Sequence, residues 1–137
     1  MRRRSLIGVT AVTLLAGCAG PDRAARCLPP ATAVPVVELF LGRGLPEGGE
    51  VDEAAWRSFL DAVVTPRFPD GLSVIDAAGQ WRRNGAIERE RSKLLVIVAV
   101  DARDLDGRLD AVIAAYKARF QQQAVLRIDR TACIAFR

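Results

Sequence analysis

Histidine is absent from the chain. That absence removes Ser-His and Cys-His nucleophile systems, His-ligated zinc and His-ligated haem together. Cysteine is scarce, with three in 137 residues, and aromatic residues make up only 6%. The apolar stretch nearest to a membrane span, Leu6 to Ala16, is too short to cross a bilayer as a helix. The basic excess is also thinner than it looks. The whole chain carries 20 Lys+Arg against 16 Asp+Glu. Setting aside Arg2, Arg3 and Arg4 leaves 17 against 16. The basicity sits at the N-terminus, so the composition gives no nucleic-acid partner.

That N-terminus is the most legible segment. "MRRRSLIGVTAVTLLAGC" joins a charged head to a short apolar run and then Leu15-Ala16-Gly17-Cys18. Small residues before a cysteine suit a peptidase that cuts after the cysteine has been acylated. The pattern resembles a bacterial lipoprotein signal. It implies a signal peptide over residues 1–17, lipidation at Cys18, a flexible tether over 18–33 and a single domain over 34–137. Ala19 is not an aspartate, so the resemblance implies an anchor in the outer membrane, facing the periplasm. Several acyl chains hold a protein stably. In such an oxidising compartment the remaining pair, Cys27 and Cys133, favours a disulfide.

Along the domain, "VPVVELFLG" (34–42) reads as a first strand closed by Gly42. A helix follows, with Asp52 as N-cap and Val51 and Trp56 as a hydrophobic staple. Trp56, Phe59, Leu60, Val63 and Val64 share one helical face, and Pro66 predicts a stop near Thr65. Strands over 72–82 and 86–100 flank Asn84-Gly85, a strong two-residue hairpin signal. A second helix spans 104–123, with Leu105, Leu109, Val112, Ile113, Tyr116 and Phe120 on its buried side. The last strand carries Leu126, Ile128, Ile134 and Phe136 in alternation. The order β-α-β-β-α-β predicts a ferredoxin-like split βαββαβ sandwich of the α+β class. Its four-stranded antiparallel sheet has order 4-1-3-2, with both helices on one face. Strands one and four then lie side by side and antiparallel, so Cys27 and Cys133 can meet. A buried, free Cys133 is the alternative.

A two-residue turn at Asn84-Gly85 pairs residues whose numbers sum to 169. One face then carries Leu72, Val74, Leu95 and Ile97, with Asp76 opposite Lys93. The other carries Ile75, Leu94, Val96 and Val98, with Gly79 opposite Glu90 and Trp81 opposite Glu88. An uncovered apolar sheet face marks a partner or a ligand. On it Glu90 stands over Gly79, Ala77 and Ser92 beside Trp81, a weak candidate for a general base or orienting group. A solvated strand charge is the plainer reading. "GRG" at 42–44 could offer backbone N–H groups and Arg43 to an anion, though it lacks the length and lysine of a P-loop. "DARDLDGRLD" lacks two oxygens of a calcium loop, and Asp104 is better read as the cap of the second helix. No metal or cofactor is implied.

"VELFLGRGLP", "VVTPRFPDGLSVIDAAGQW" and "ERSKLLVIV" together resemble a family of small bacterial lipoproteins known as domain of unknown function 3574. The resemblance covers residues 34 to 100 well and the remainder loosely. It carries over Glu38, Phe40, Gly42, Pro66, Arg67, Phe68, Pro69, Gly71, Asp76, Gly79, Trp81, Glu90, Ser92 and Lys93. Leu41 departs from it, standing where the family more often has an aromatic. The resemblance implies fold and location and no activity. Within "TPRFPDG" turn chemistry accounts for every residue but Arg67. Arg67 is expected to pair with Glu38 or Asp76, or else to take an anion. Two readings follow. One is a non-catalytic envelope lipoprotein that docks an envelope protein, or its own copy, through the open sheet face. The other is a dimeric α/β-barrel-like enzyme or ligand binder, with Glu90 as base, Trp81 as wall and Arg43 or Arg67 as anion anchor.

Overall fold

The computed structural model describes residues 27–137. The expected signal peptide, the expected lipidation site Cys18 and most of the expected tether lie outside the described residues.

Asn84 and Gly85 both take positive φ, 49° and 84°, the conformation a two-residue hairpin turn needs. They join β2 (Ser73–Arg83) to β3 (Ala86–Val98), with Val74 opposite Leu95 and Trp81 opposite Glu88. The register is the one expected from the turn. β1 (Thr32–Gly42) and β4 (Leu126–Ile134) complete one antiparallel sheet in the order β2-β3-β1-β4. That is the 4-1-3-2 order read from the opposite edge.

The two helices are α1 (Glu53–Phe59) and α2 (Leu105–Phe120). Asp52 caps α1 by accepting from the Ala55 N–H at 2.7 Å, and Val51 and Trp56 are both buried. The helical run ends at Arg67, close to the expected stop near Thr65, but it is not regular up to that point. It widens into a π-helical turn (Leu60–Val64) and tightens into a 3-10 turn (Thr65–Arg67). The Thr65 N–H reaches back to the Leu60 carbonyl, and Pro66, which has no N–H to offer, sits in the first turn of the 3-10 segment, where none is required. Asp104 is a correction. It occupies the cap position of α2 but adopts φ 47°, and its side chain makes no capping hydrogen bond. It lies instead against Gly107.

Both helices pack on one face of the sheet. Val37, Leu39 and Leu41 of β1 and Leu95 and Ile97 of β3 meet Trp56, Phe59 and Val64 from the first helical segment and Leu109, Val112, Tyr116 and Phe120 from α2. The rings of Phe59, Tyr116 and Phe120 stack tilted or edge-on, Phe59 to Tyr116 at 5.1 Å and Tyr116 to Phe120 at 4.9 Å, within the range that favours aromatic pairs. A disulfide joins Cys27 to Cys133 across 106 residues, with Cα atoms 5.4 Å apart. Cys133 sits opposite Ala33, at the end of β4 and exposed, not buried and free in the core. The alternation in β4 is present, but Leu126, Ile128 and Ile134 turn away from the helices, and Phe136 lies beyond the strand.

Candidate functional site

The paired registers set out the face that the helices leave open, row by row. Ile75, Leu94, Phe40 and Leu126 stand opposite one another across all four strands, and the next row is Ser73, Val96, Glu38 and Ile128. Val98 and Val36 continue the apolar strip toward the start of β1. Ile75 and Leu126 are more than half exposed, and nothing in the described chain covers them. The strip's one charged pair is Glu38 with Arg130, 2.5 Å apart.

Toward the other end of the strands the face turns polar. Ala77, Ser92 and Gly42 form one row, and Glu90 stands opposite Gly79 in the next. Glu90 leans away from Gly79 and across β1. Its Oε1 accepts from the Gly44 N–H at 2.9 Å and lies where a methyl group on Gly42 would fall, 2.5 Å away. The expected floor of Gly79 and Ala77 is therefore not where the carboxylate rests. The reason is that the register between β1 and β3 brings two side-chain-free residues within its reach. Open clefts of about 310 and 580 Å³ border Glu90, the larger lined also by Trp81, Glu88 and Gln121 to Gln123.

The same bond settles the "GRG" segment. The Gly44 N–H is taken by Glu90, while Arg43 points to the opposite face and is only 4% exposed. Its guanidinium donates to the Val51 carbonyl at 2.5 and 2.7 Å and to Glu53 at 2.8 Å. Those contacts direct Arg43 inward rather than to an anion in solution. Arg67 also departs from its expected pairing. It donates to the Val63 carbonyl at 2.7 Å, while Glu38 is held by Arg130 and Asp76 by Lys93. Trp81 is exposed on the open face opposite Glu88, and neither arginine is directed to it.

One constellation was legible only in part: Asp76 opposite Lys93 was expected, and Glu53 and Arg43 beside them were not. Lys93, 4% exposed, lies between Asp76 Oδ1 at 2.5 Å and Glu53 at 2.9 Å, and Glu53 also receives Arg43. Two buried cations thus share two carboxylates that face solvent. The hydrogen bond from Lys93 holds the carboxyls of Glu53 and Asp76 below their ordinary values, against a smaller opposing effect of desolvation. Burial disfavours the Lys93 ammonium, yet its bonds to Asp76 and Glu53 together raise its pKa. Lys93 is therefore a charged strut and a poor nucleophile. Its available signal was the Asp76–Lys93 pairing across the hairpin; the contribution of Glu53 comes from the start of α1 and had none.

Beside these charges, Tyr116 donates from α2 to the Gly42 carbonyl at 2.8 Å, and Gln122 donates to the Gly44 carbonyl at 2.6 Å. Burial pushes the Tyr116 hydroxyl up to about 12. The end of β1 is thus clamped from both faces.

Among solved structures the fold is similar to a phage SAM lyase in its apo state, with a TM-score of 0.55 at 14% identity, covering 76% of this chain and 90% of that one. A phage SAM lyase in complex with S-methyl-5'-thioadenosine gives 0.56 at 14% identity, covering 82% and 95%. CutA from Synechococcus elongatus gives 0.49 at 17% identity, covering 74% and 80%. At these identities the similarity is one of fold. A search of curated protein sequences finds no match. A family model does match, over residues 36–136, and on that match the chain belongs to the family described as "Protein of unknown function (DUF3574)".

Proposed function

We propose that this protein is an envelope-anchored lipoprotein whose domain is a non-catalytic interaction module, docking a partner protein through its open sheet face. The observation that carries the reading is the uncovered row Ile75, Leu94, Phe40 and Leu126, flanked by Val96, Val98 and Ile128. Contiguous apolar surface of this kind stays exposed at a cost unless a partner covers it. The anchor follows from Leu15-Ala16-Gly17-Cys18, and the Cys27–Cys133 disulfide supports an oxidising, extracytoplasmic location. The site of action is then the periplasmic face of the outer membrane.

A second reading rests on the clefts beside Glu90. In it, two copies close their sheet faces on a small ligand, with Glu90 orienting it and Trp81 as a wall. Native mass spectrometry on residues 19–137, exported to the periplasm, separates the two. The interaction module flies without added small-molecule mass. A dimer carrying such mass, or one that takes up S-methyl-5'-thioadenosine when it is offered, overturns the first reading in favour of the second.

A further inference from the structure

The apolar strip does not stop at the sheet. At the end of the domain where the chain enters, Leu28 is 82% exposed, Val100 55% and Phe136 87%. These three come from distant parts of the sequence, yet the fold gathers them. Val100 follows the end of β3, where the Ala99 N–H bonds the Pro35 carbonyl at 2.9 Å. Phe136 follows β4 and lines an open cleft of about 380 Å³ with Val96, Val98, Val100 and Ile134. Leu28 is next to Cys27, whose disulfide to Cys133 holds the entering chain three residues before Phe136.

That disulfide fixes the point at which Cys27 is held to the domain. Cys27 lies nine residue steps beyond Cys18. Even fully extended they span only about 30 Å at roughly 3.3–3.6 Å per residue. A lipid on Cys18 therefore keeps this end of the domain, and not the hairpin end, close to the bilayer. In the sequence Arg23, Arg26 and Arg137 stand near the patch against Asp22 and Asp101, and Asp70 lines the cleft itself, so the contact is chiefly apolar. Exposed apolar side chains tethered this close to a bilayer gain by entering its interfacial layer.

We infer that the end of the domain bearing Leu28, Val100 and Phe136 rests on the lipid surface, with these side chains in its interfacial layer. The inference rests on the lipoprotein reading above and adds an orientation to it. The hairpin end with Trp81 and Glu90 then points away from the membrane, and the apolar sheet face stands edge-on to the bilayer, open to a partner.

The test uses the full acylated chain in vesicles of phosphatidylethanolamine and phosphatidylglycerol, with and without bromines on the acyl chains. Phe136→Trp adds an indole at the proposed contact, and the wild-type protein, with Trp56 and Trp81 only, supplies the baseline. The expected result is a blue-shifted added emission that loses most of its intensity to bromines, while the baseline is unchanged. A water-like added emission indifferent to bromines, on a chain whose mass shows the lipid on Cys18, overturns the orientation and leaves the anchor standing. A blue shift without bromine quenching means that protein covers the patch, and also overturns it. A chain without lipid mass on Cys18 overturns the lipoprotein reading and the orientation with it.

Discussion

Glu90 lays its carboxylate over the Cα of Gly42 and holds the N–H of Gly44, so that one side chain from β3 fastens the end of β1. A methyl group on Gly42 meets Glu90 Oε1 at 2.5 Å, so the carboxylate must shift from the position in which it accepts the Gly44 bond. Hydrogen bonds to a charged group contribute about 1.5–3 kcal/mol. Gly42→Ala and Glu90→Ala are each expected to cost roughly 1–2 kcal/mol in denaturant unfolding. Because both lose the same bond, the double variant should cost clearly less than the sum. Additive costs would show that the contact is incidental.

The Lys93 strut predicts an acid-sensitive fold. Glu53 and Asp76 hold protons less tightly when folded than when unfolded. Their contribution is therefore complete above the ordinary values of 4.5 and 3.8 and is lost as pH falls below them. Lys93→Met should flatten this acid limb in a pH series of urea midpoints. Glu53→Gln should destabilise more than Lys93→Met, since it leaves two buried cations short of a partner, whereas Lys93→Met leaves two carboxylates that still reach water.

Tyr116 is the chain's single tyrosine, so its ionisation can be read directly from ultraviolet absorbance. Burial raises it from 10.0 to about 12. A raised pKa means that its contribution to stability is complete below pH 10.0 and is lost as pH rises toward 12. The titration midpoint should fall near 12 in the folded protein and near 10.0 in urea. Tyr116→Phe leaves the Gly42 carbonyl without its 2.8 Å donor and should cost about 1–2 kcal/mol.

The disulfide closes a loop across 106 residues, most of the domain. Cys27→Ser with Cys133→Ser, or reduction, is expected to remove about 2–5 kcal/mol of stability. Equal urea midpoints for oxidised and reduced protein would contradict this.

What could be read from the sequence followed from local chemistry. Asn84-Gly85 fixed the β2–β3 register, Asp52 marked the start of α1, and the topology brought Cys27 beside Cys133. The pieces not legible were long-range. No turn sets the register of β1 against β3, so the lean of Glu90 onto Gly42 and Gly44 had no local signal. Arg43 looked like an anion anchor because its neighbours are glycines, yet the pleat sends it inward to Val51 and Glu53. Arg67 looked unassigned because the carbonyl it meets, that of Val63, is presented by an irregular helix end that Pro66 obscures.

The most direct test of the docking face is photocrosslinking from the acylated protein in its native envelope. A crosslinker in place of Ile75 projects from the open face, and one in place of Asp110 projects from the exposed side of α2. The expected result is a discrete protein adduct from position 75, lost when Leu94→Glu places a charge beside it in the same row, and none from position 110. Adducts of equal yield from both positions, or from neither, would contradict a role for the sheet face in docking a partner.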